Sequence, residues 1–509
     1  MDPTRRFYIT TAIDYANGSP HLGHAVEKIG ADVVARYHRR KGEEVHFVIG
    51  MDEHGQKVLQ SAEGAGVSPK EWVDRIAKEF VEAWKILRIS YDDFIRTTEE
   101  RHHLGVREII RRIQEKGDFY LGTYSGYYCV GCEGYKTRDE LIQEDQEDLR
   151  CPTHPSLSVQ WMEEENWFFR LSSYTEPLLA LLDERPKFVQ PEIRRNEIRK
   201  VLEGGLEDIS VSRSRLPWGV PWPDDPDHIV YVWLDALTNY LTAVGFPDEE
   251  YRGRWPADVH VIGKDITRFH CIYWPAFLLS AGIELPKTVW AHGFVTYGGR
   301  KLSKSAGVTF ELPEAIGRHG PDALRYYLLR EVPWNGDGDI TRERFDERYT
   351  TELANDLGNL ANRSLTMIEK YRGGTIPEGP LRSLDDACSR SVDRYKEVMD
   401  QGLLHLGIAA AMDLVSEANG FIEKQAPWSL AKNPAGSPEL DATLASLARA
   451  LLVAATLLHP FMPERMGELA TRVGAEMVPT LDEALTLGLA GRSVFRGEPL
   501  FPRPDLKTS

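Results

Sequence analysis

Two short segments, far apart in the sequence, carry basic and small residues that could bind an anion. Residues 21–24 (HLGH) open a segment of helical periodicity, and residues 301–305 (KLSKS) follow a glycine-containing turn. His21 and His24 share a face of the first helical turn, where free N–H groups attract anions. The lysines of the second segment supply movable charges, and its serines supply hydroxyl donors. Together the segments favour a nucleotide triphosphate held from two sides, although His21 and His24 alone are more simply explained as capping or core histidines.

Four residues of metal-binding type lie in the middle of the chain at a spacing typical of zinc knuckles. Cys129 and Cys132 form a Cys-x-x-Cys group, and Cys151 and His154 form a Cys-x-x-His group further on. Three thiolates and one imidazole complete a tetrahedral zinc site with no open coordination position, so we expect one structural Zn²⁺ without a catalytic role. The alternative is a set of unrelated free thiols.

The elements that would position residues 21–24 follow from hydrophobic periodicity. Residues 7–13 and 45–49 are apolar runs expected of strands in a parallel sheet, and residues 24–41 between them place apolar side chains on one helical face. The loop 14–20 therefore joins the carboxyl end of a strand to a helix N-terminus. Open α/β sheets bind their ligands at such loops.

The later part of the chain changes character twice. Residues 229–234 and 259–262 are predicted to be buried strands of a second α/β segment. This segment also holds a dense set of aromatic side chains, each of which taken singly is more simply a core residue. They are Trp233, Tyr240, Phe269, His270 and Trp274. From about residue 350 the apolar periodicity is helical throughout.

Composition limits the class of protein. A chain of 509 residues, 42% hydrophobic and 27% charged, suggests two to four globular domains. We expect no membrane span, because no apolar run of about 18 residues occurs, and no signal peptide, because the first residues lack an apolar segment with a small-residue cleavage site. Five cysteines, three of them clustered, fit a reducing cytosol. The net charge of −17 argues against indiscriminate nucleic-acid binding but is compatible with a local basic patch.

Several motifs resemble those of the class I aminoacyl-tRNA synthetases, in the form found in the methionyl family. Residues 15–24 (YANGSPHLGH) resemble the first signature of that class, and residues 301–305 resemble the second, with Leu302 where methionine is commoner. Further matches in order and spacing are residues 50–55, 231–236, 263–275 and 425–428. The resemblance implies an α/β fold: a Rossmann-type doubly wound parallel sheet, split by the zinc-knuckle insertion and followed by an all-α anticodon-binding domain.

The resemblance also implies roles in the reaction. His21 and His24 would contact the ATP phosphates in the transition state, and the two lysines of the second segment would close over the pyrophosphate. The implied catalytic residues are His21, His24, Lys301, Lys304 and Arg213. The implied ATP-binding residues are Gly23, beneath the adenine, Glu27, near the nucleoside, and Lys304.

A second group of implied residues recognises the other substrates. The methionine pocket would consist of Ile13, Tyr15, Asp52, Trp233, Tyr240, Asp265, Phe269, His270 and Trp274, with Asp52 on the amino group. The anticodon would be bound by Asn359, Arg363 and Trp428. The implied partners are ATP with Mg²⁺, L-methionine and tRNA(Met), including initiator tRNA. The enzyme itself would be a cytoplasmic monomer that contacts no membrane.

The implied domain limits follow the motifs. Residues 1–115 and 226–325 would be the two halves of the catalytic domain, separated by the insertion at 116–225. Residues 326–350 would form a linking segment with the stem-contact region, and residues 351–509 the helical anticodon-binding domain.

Three alternatives are weighed against this interpretation. Synthetases for isoleucine, valine or leucine carry a large editing domain, for which residues 116–225 are too short, and a cysteinyl enzyme would leave its zinc an open position. A non-catalytic RNA-binding paralogue would be expected to lose His21, His24 or Lys304, all of which are present. A small nucleotidyltransferase would not need the region after residue 350. One departure stands out: Asp14 occupies a position where relatives usually have proline or tyrosine, which puts the conformation of its loop in doubt.

Overall fold

The computed structural model describes residues 5–503 with the exception of 132–133, 137, 146–147, 153, 215, 302–309, 380–381 and 434–436. For residues 134–135, 143–145, 148, 154–157 and 301 it describes the backbone only.

A seven-stranded parallel sheet forms the centre of the α/β part. From one edge its strands are Val189–Gln190, Val289–His292, Val259–Gly263, Arg6–Thr11 and Glu44–Asp52, and both Asp14–Tyr15 and Asp93–Arg96 pair with the last of these. The strand order reverses at Arg6–Thr11, where Ile9 is in register with Phe47 on one side and Val259 on the other. The carboxyl ends of the strands at such a reversal form the crevice in which doubly wound sheets bind ligands.

Helices cover both faces of this sheet. They are Leu22–Arg40, Gln56–Gly64, Pro69–Ile86, Glu100–Lys116, Val232–Thr242 and Trp274–Ser280, the last preceded by a π-helical turn, Phe269–Tyr273. The first helix buries Val26, Ile29 and Val33, as its 3.6-residue periodicity predicts. Burying this apolar stripe fixes the rotation of the helix and therefore the direction in which its first turn faces.

One strand prediction is wrong. Residues 229–234 do not form a single strand: the antiparallel strand Asp225–Val230 ends there, and the helix Val232–Thr242 begins two residues later, with Tyr231 as N-cap. Both elements are buried, and a short apolar run does not distinguish a buried strand from the start of a buried helix.

The segment between the two sheet halves is built on a long antiparallel hairpin. Its strands, Phe119–Cys129 and Gln160–Phe169, are paired from Phe119 with Phe169 to Tyr128 with Gln160. Smaller strands are Gly134–Lys136, Ile142–Asp145, Asp148–Cys151, His154–Ser158, Ile209–Ser210, Ser212–Arg213, Pro221–Trp222 and Asp225–Val230, and the helices are Thr175–Glu184 and Glu192–Glu203. The edge strand Val189–Gln190 of the central sheet also comes from this segment.

The region that follows becomes helical. A small sheet of Val295–Tyr297, Arg300–Lys301 and Gly338–Ile340 is accompanied by the helices Leu312–His319, Pro321–Glu331 and Arg342–Arg348. The remaining helices are Tyr349–Gly358, which is π-helical, Asn359–Arg372, Ser383–Met399, Leu404–Gln425, Pro427–Leu430, Ser437–Leu458, Pro463–Arg472 and Glu483–Thr486. One continuous hydrophobic core joins these helices to the first helix.

One helix in the described part of the chain, Ser437–Leu458, is long and apolar enough to cross a membrane. Its most apolar window is 83% buried inside the fold, where it contacts neighbouring helices as a core element.

Candidate active site

The first turn of the helix Leu22–Arg40 is capped by two histidines. His21 is the N-cap: its Nδ1 accepts a hydrogen bond from the backbone N–H of His24 at 3.4 Å, and Nδ1 of His24 accepts one from the N–H of His21 at 3.3 Å. The two rings stack with centroids 3.7 Å apart. Because each Nδ1 is an acceptor, each neutral ring carries its proton on Nε2. The histidines therefore cap the helix through Nδ1, and the cap does not use the Nε2–H of either ring.

The charge of His24 is set by its surroundings. Burial, with His21 and Lys28 close by, lowers the pKa of His24 well below its ordinary value, so this imidazole is neutral at pH 7. Gly23 allows the close contact: a Cβ at this position would lie 3.0 Å from Cε1 of His21. A larger residue would force the His21 ring away from its stacked position.

Glu27 belongs to a buried charge cluster one turn further along the helix. Its Oε1 accepts a hydrogen bond from Nζ of Lys28 at 2.8 Å, and its Oε2 lies 3.2 Å from Nε2 of His292. Burial opposes ionisation of Glu27, but Lys28 and His292 outweigh it and lower its pKa. Asp14 is the other carboxylate of the cluster, 2.9 Å from the Lys28 ammonium, and burial raises its pKa to about 7 in spite of Lys28. The unusual aspartate is thus buried beside a buried lysine.

The second half of the sheet contributes the aromatic residues of the predicted methionine pocket. The hydroxyl of Tyr240 donates to Nε2 of His270 at 2.6 Å, since Nδ1 of that ring bonds the carbonyl oxygen of Ile266. Burial lowers the pKa of His270 to about 4, which keeps the ring neutral. Trp233 and Phe269 stack with centroids 3.5 Å apart, on the half-buried side of the pocket. These contacts bring together four residues predicted to bind methionine.

Most of the remaining predicted pocket residues lie at or near the carboxyl ends of the strands. Asp52 ends the strand Glu44–Asp52, and Tyr15 is in register with it. Ile13 is half-buried in the loop before Tyr15. Asp265 is exposed in the turn after Val259–Gly263. Trp274 is fully buried, edge-on to Tyr240 with centroids 6.1 Å apart.

The predicted cations come from different parts of the fold. Arg213 is buried in the connecting segment, where its Nε lies 3.0 Å from Oε2 of Glu164 and its guanidinium lies over the ring of Tyr128. In this arrangement Arg213 contacts both strands of the hairpin, through Glu164 and Tyr128. Its catalytic role stays a prediction. The backbone of Lys301 pairs with Thr296, whereas its side chain is outside the described residues.

The rest of the second signature is also outside the description. Residues 302–309, including Lys304, are not described, so the predicted contact of this lysine with ATP stays a prediction.

Two of the four predicted zinc ligands are described in full. Cys129 ends the strand Phe119–Cys129, Cys151 ends the strand Asp148–Cys151, and both side chains are buried. The backbone register pairs Cys151 with His154 across a tight turn. Buried thiols at strand ends fit a zinc site. Cys132 and the side chain of His154 are outside the described residues, among which no three or more His, Cys, Asp or Glu side chains are arranged to hold a metal ion.

The predicted anticodon residues lie on neighbouring helices. Asn359 is exposed at the start of Asn359–Arg372, and Arg363 reaches Glu423 at the end of Leu404–Gln425, with Nη2 2.6 Å from Oε1. That helix leads directly into Pro427–Leu430, where the Trp428 side chain is 40% exposed. An exposed tryptophan and a partly exposed arginine are side chains on which unstacked bases could stack.

Several site residues were missed by sequence reasoning. Asp235 is buried and accepts hydrogen bonds from His54 at 2.7 Å and His102 at 2.9 Å. His54 follows, by two residues, the strand that ends at Asp52. His260 lies beneath the pocket, between Oγ1 of Thr10 and Nε1 of Trp274. These partners are far apart in the sequence, so no local spacing connects them. The signal that did exist was polar side chains within apolar runs.

Known proteins are similar to the chain in both sequence and fold. A family model described as "tRNA synthetases class I (M)" matches residues 7–365, which assigns the chain to the class I tRNA synthetases. The methionine–tRNA ligases of Thermotoga maritima and Rhizobium meliloti are each 44% identical to the chain over 99% of its length, covering 81% and 99% of their own lengths. The chain belongs to the methionine–tRNA ligase family, as the sequence motifs predicted.

Solved structures agree. The crystal structure of Mycobacterium tuberculosis methionyl-tRNA synthetase bound by methionyl-adenylate matches with a TM-score of 0.94 at 41% identity, covering 98% of this chain and 100% of that one. The apo form of the same enzyme matches with a TM-score of 0.88 at 39% identity, covering 98% of each chain. The parallel sheet and the C-terminal helical region are therefore the family's fold.

Proposed function

We propose that the chain activates L-methionine with ATP, forming methionyl-adenylate and pyrophosphate, and then transfers the methionyl group to the 3′-terminal adenosine of tRNA(Met). One observation carries the proposal. The histidine pair at the start of the first helix and the pocket around Tyr240 lie at the carboxyl ends of two adjacent strands, Arg6–Thr11 and Val259–Gly263. A helix N-terminus suited to phosphate thus lies near a cluster of aromatic side chains at the strand-order reversal.

Activation is a problem of charge and position. The methionine carboxylate has a pKa far below 7, so it is already a nucleophile and needs no general base. Its oxygen attacks the α-phosphorus of ATP, and the bond to the pyrophosphate oxygen breaks. Two anions must therefore approach each other, which requires donors and cations around the phosphates. The Nε2–H groups of His21 and His24, with Lys301 and Lys304, supply them, and Mg²⁺ bound with ATP would neutralise further phosphate charge.

The pocket selects the amino acid. A thioether is flexible, polarisable and a weak hydrogen-bond acceptor, which suits an aromatic cavity with few polar groups. Because the hydroxyl of Tyr240 donates a hydrogen bond to His270, the orientation of this hydroxyl is fixed. The carboxylate of Asp52 faces the amino group of methionine in this proposal, so that charge is recognised at one end of the substrate and shape at the other.

Transfer requires tRNA(Met) across both parts of the molecule. A hydroxyl of the terminal adenosine attacks the carbonyl carbon of the adenylate, and AMP leaves. Asn359, Arg363 and Trp428 would read the CAU anticodon, and the exposure of Asn359 and Trp428 supports this role. Initiator and elongator tRNA carry the same anticodon, so we propose that both are substrates.

Further properties belong to the proposal. One structural Zn²⁺ would be held by Cys129, Cys132, Cys151 and His154. It would have no catalytic role and would stabilise the insertion by linking its two turns. The chain would act as a cytoplasmic monomer, with the domain limits predicted from the motifs.

The test is ATP–pyrophosphate exchange with each of the twenty amino acids, followed by charging of initiator and elongator tRNA(Met). Methionine should stimulate exchange far above the others. Equal or greater stimulation by another amino acid would contradict the assignment of the pocket. Charging of one tRNA(Met) only would contradict the proposal that both are substrates.

A further inference from the structure

Lys28 is a fully buried cation in the first helix, beside Glu27. Its Nζ donates to the carbonyl oxygen of Ala12 at 2.8 Å, to Oδ1 of Asp14 at 2.9 Å and to Oε1 of Glu27 at 2.8 Å. An ammonium group has three N–H donors, so the hydrogen-bonding capacity of Lys28 is completely used by these partners. Its side chain has no exposed surface, and that of Asp14 is 3% exposed.

The partners of Lys28 come from both sides of the site. Ala12 and Asp14 belong to the loop that also carries Ile13 and Tyr15, on the methionine side. The backbone N–H of Ala12 in turn bonds the carbonyl oxygen of Val261 at 2.9 Å, in the second half of the sheet.

Glu27 is on the nucleotide side. Its second oxygen faces His292, which ends a strand of the second half. Lys28 therefore bonds the methionine loop, through Ala12 and Asp14, and the nucleotide-side carboxylate of Glu27 at once.

Burial of these charges has a cost. An ammonium and two carboxylates removed from water must recover a large desolvation energy, and apolar residues of similar volume often serve stability as well or better. Buried, mutually perturbed charges are instead concentrated at functional sites. We propose that Lys28, oriented by Asp14, is a positioning residue that holds the methionine loop and Glu27 in the geometry required for adenylation. The inference rests on the proposed function.

The test begins with Lys28→Met, which keeps the length of the side chain and removes its charge. Asp14 and Glu27 then lose their common cation, and the loop and Glu27 should move apart. KM for ATP and KM for methionine in pyrophosphate exchange should both rise about 10-fold or more, with rates expressed per active site counted by the burst of adenylate formation. A non-hydrolysable methionyl-adenylate analogue should bind correspondingly more weakly in calorimetry.

Two further variants separate positioning from stability. Arg36→Met is the matched control, because Arg36 lies on the same helix and pairs with Asp32 at 2.7 Å; it should lower the midpoint of thermal unfolding and leave both KM values unchanged. The double variant Lys28→Met/Asp14→Leu removes one carboxylate with the cation and so restores the charge balance. It should recover thermal stability while KM stays raised.

The outcomes are distinct. Unchanged KM values in Lys28→Met, or normal KM values in the double variant, would overturn the proposal, because Lys28 would then only balance charge. Lack of methionine-dependent exchange in the wild-type protein would contradict the proposed function instead, and analogue binding by the same variants would still decide the role of Lys28.

Discussion

Arg325 and Asp32 form an ion pair that is completely buried between the first helix and the helical region. Nη2 of Arg325 lies 2.7 Å from Oδ2 of Asp32, and neither side chain has exposed surface. The guanidinium also donates to the carbonyl oxygens of Leu87, Pro460 and Phe461. One residue thus ties the helix that begins at the active site to the C-terminal helices, which carry the predicted anticodon surface.

Removing this guanidinium should strongly destabilise the protein. Arg325→Met leaves Asp32 with only Arg36 as a cation and leaves three buried carbonyl oxygens without their donor, so we expect a loss of about 3–5 kcal/mol. Thermal and denaturant unfolding measure it. Lys70→Ala, which breaks the exposed pair Lys70–Asp74, is the control and should cost about 1 kcal/mol or less. Similar losses of unfolding free energy in the two variants would show that the contacts of Arg325 do not stabilise the protein.

The contact between the first helix and the C-terminal helices should lose stability in acid, because His459 lies near Arg325 and Asp32. Burial, with Arg40, Arg36 and Arg325 nearby, lowers the pKa of His459 to about 3. The unfolded chain binds a proton here near pH 6.5 and the folded chain does not, so this contribution to stability is complete above about pH 6.5 and is lost as the pH falls toward 3.

Between pH 7 and pH 5 the loss from this histidine should reach about 2 kcal/mol. The variant His459→Gln cannot be protonated, so its stability should fall by that much less than the wild type over this range. Parallel stability–pH curves for the two proteins, measured by denaturant unfolding, would contradict the prediction.

The two functions of His21, capping and phosphate binding, can be separated by substitution. Asparagine is among the best N-cap residues, so His21→Asn should keep the helix start and the thermal midpoint. It lacks the imidazole Nε2–H, and kcat for pyrophosphate exchange should fall about 10²–10³-fold. His21→Ala should lose both, with an added cost of about 0.5–2 kcal/mol. Full activity in His21→Asn would mean that His21 only caps the helix.

A close contact fixes the first helix against the later part of the chain. A Cβ at Gly30 would lie 1.9 Å from the ring of the buried Trp334. Gly30→Ala should therefore destabilise the protein by about 1–3 kcal/mol or more, measured by thermal unfolding. Gly64→Ala is the control, since nothing lies within 4 Å of that position, and alanine there should be neutral or stabilising. If Gly30→Ala/Trp334→Leu does not recover stability, the ring is not the cause.

Metal content tests the zinc knuckles. The purified protein should contain one zinc per chain by elemental analysis, and Cys151→Ala should lose it, because one of four ligands is missing. Cys271→Ala changes a buried cysteine outside the predicted site and should keep the metal. Zinc retained after simultaneous replacement of Cys129, Cys132, Cys151 and His154 would contradict the assignment.

Local patterns accounted for much of the fold. The apolar runs near residues 7 and 45 and the helix between them are present with ends shifted by a few residues, since strand and helix periodicities differ and each leaves a distinct trace. The strand prediction for residues 229–234 was wrong, because a fully buried segment shows no alternation of apolar and polar residues that would distinguish a strand from a helix. The family was also accessible from the sequence, because its signatures are continuous strings.

The sequence by itself thus determined the elements, the family and the identity of the residues at the strand ends. The tertiary structure decided which of them meet: Lys28 with Asp14 and Glu27, Asp235 with His54 and His102, and Arg325 with Asp32. The physical reason is that a buried charge or imidazole must find its partner in space. These partners of Asp235 and of Asp32 lie more than a hundred residues away in the sequence, so they follow from the packing of whole elements and leave no local spacing to recognise.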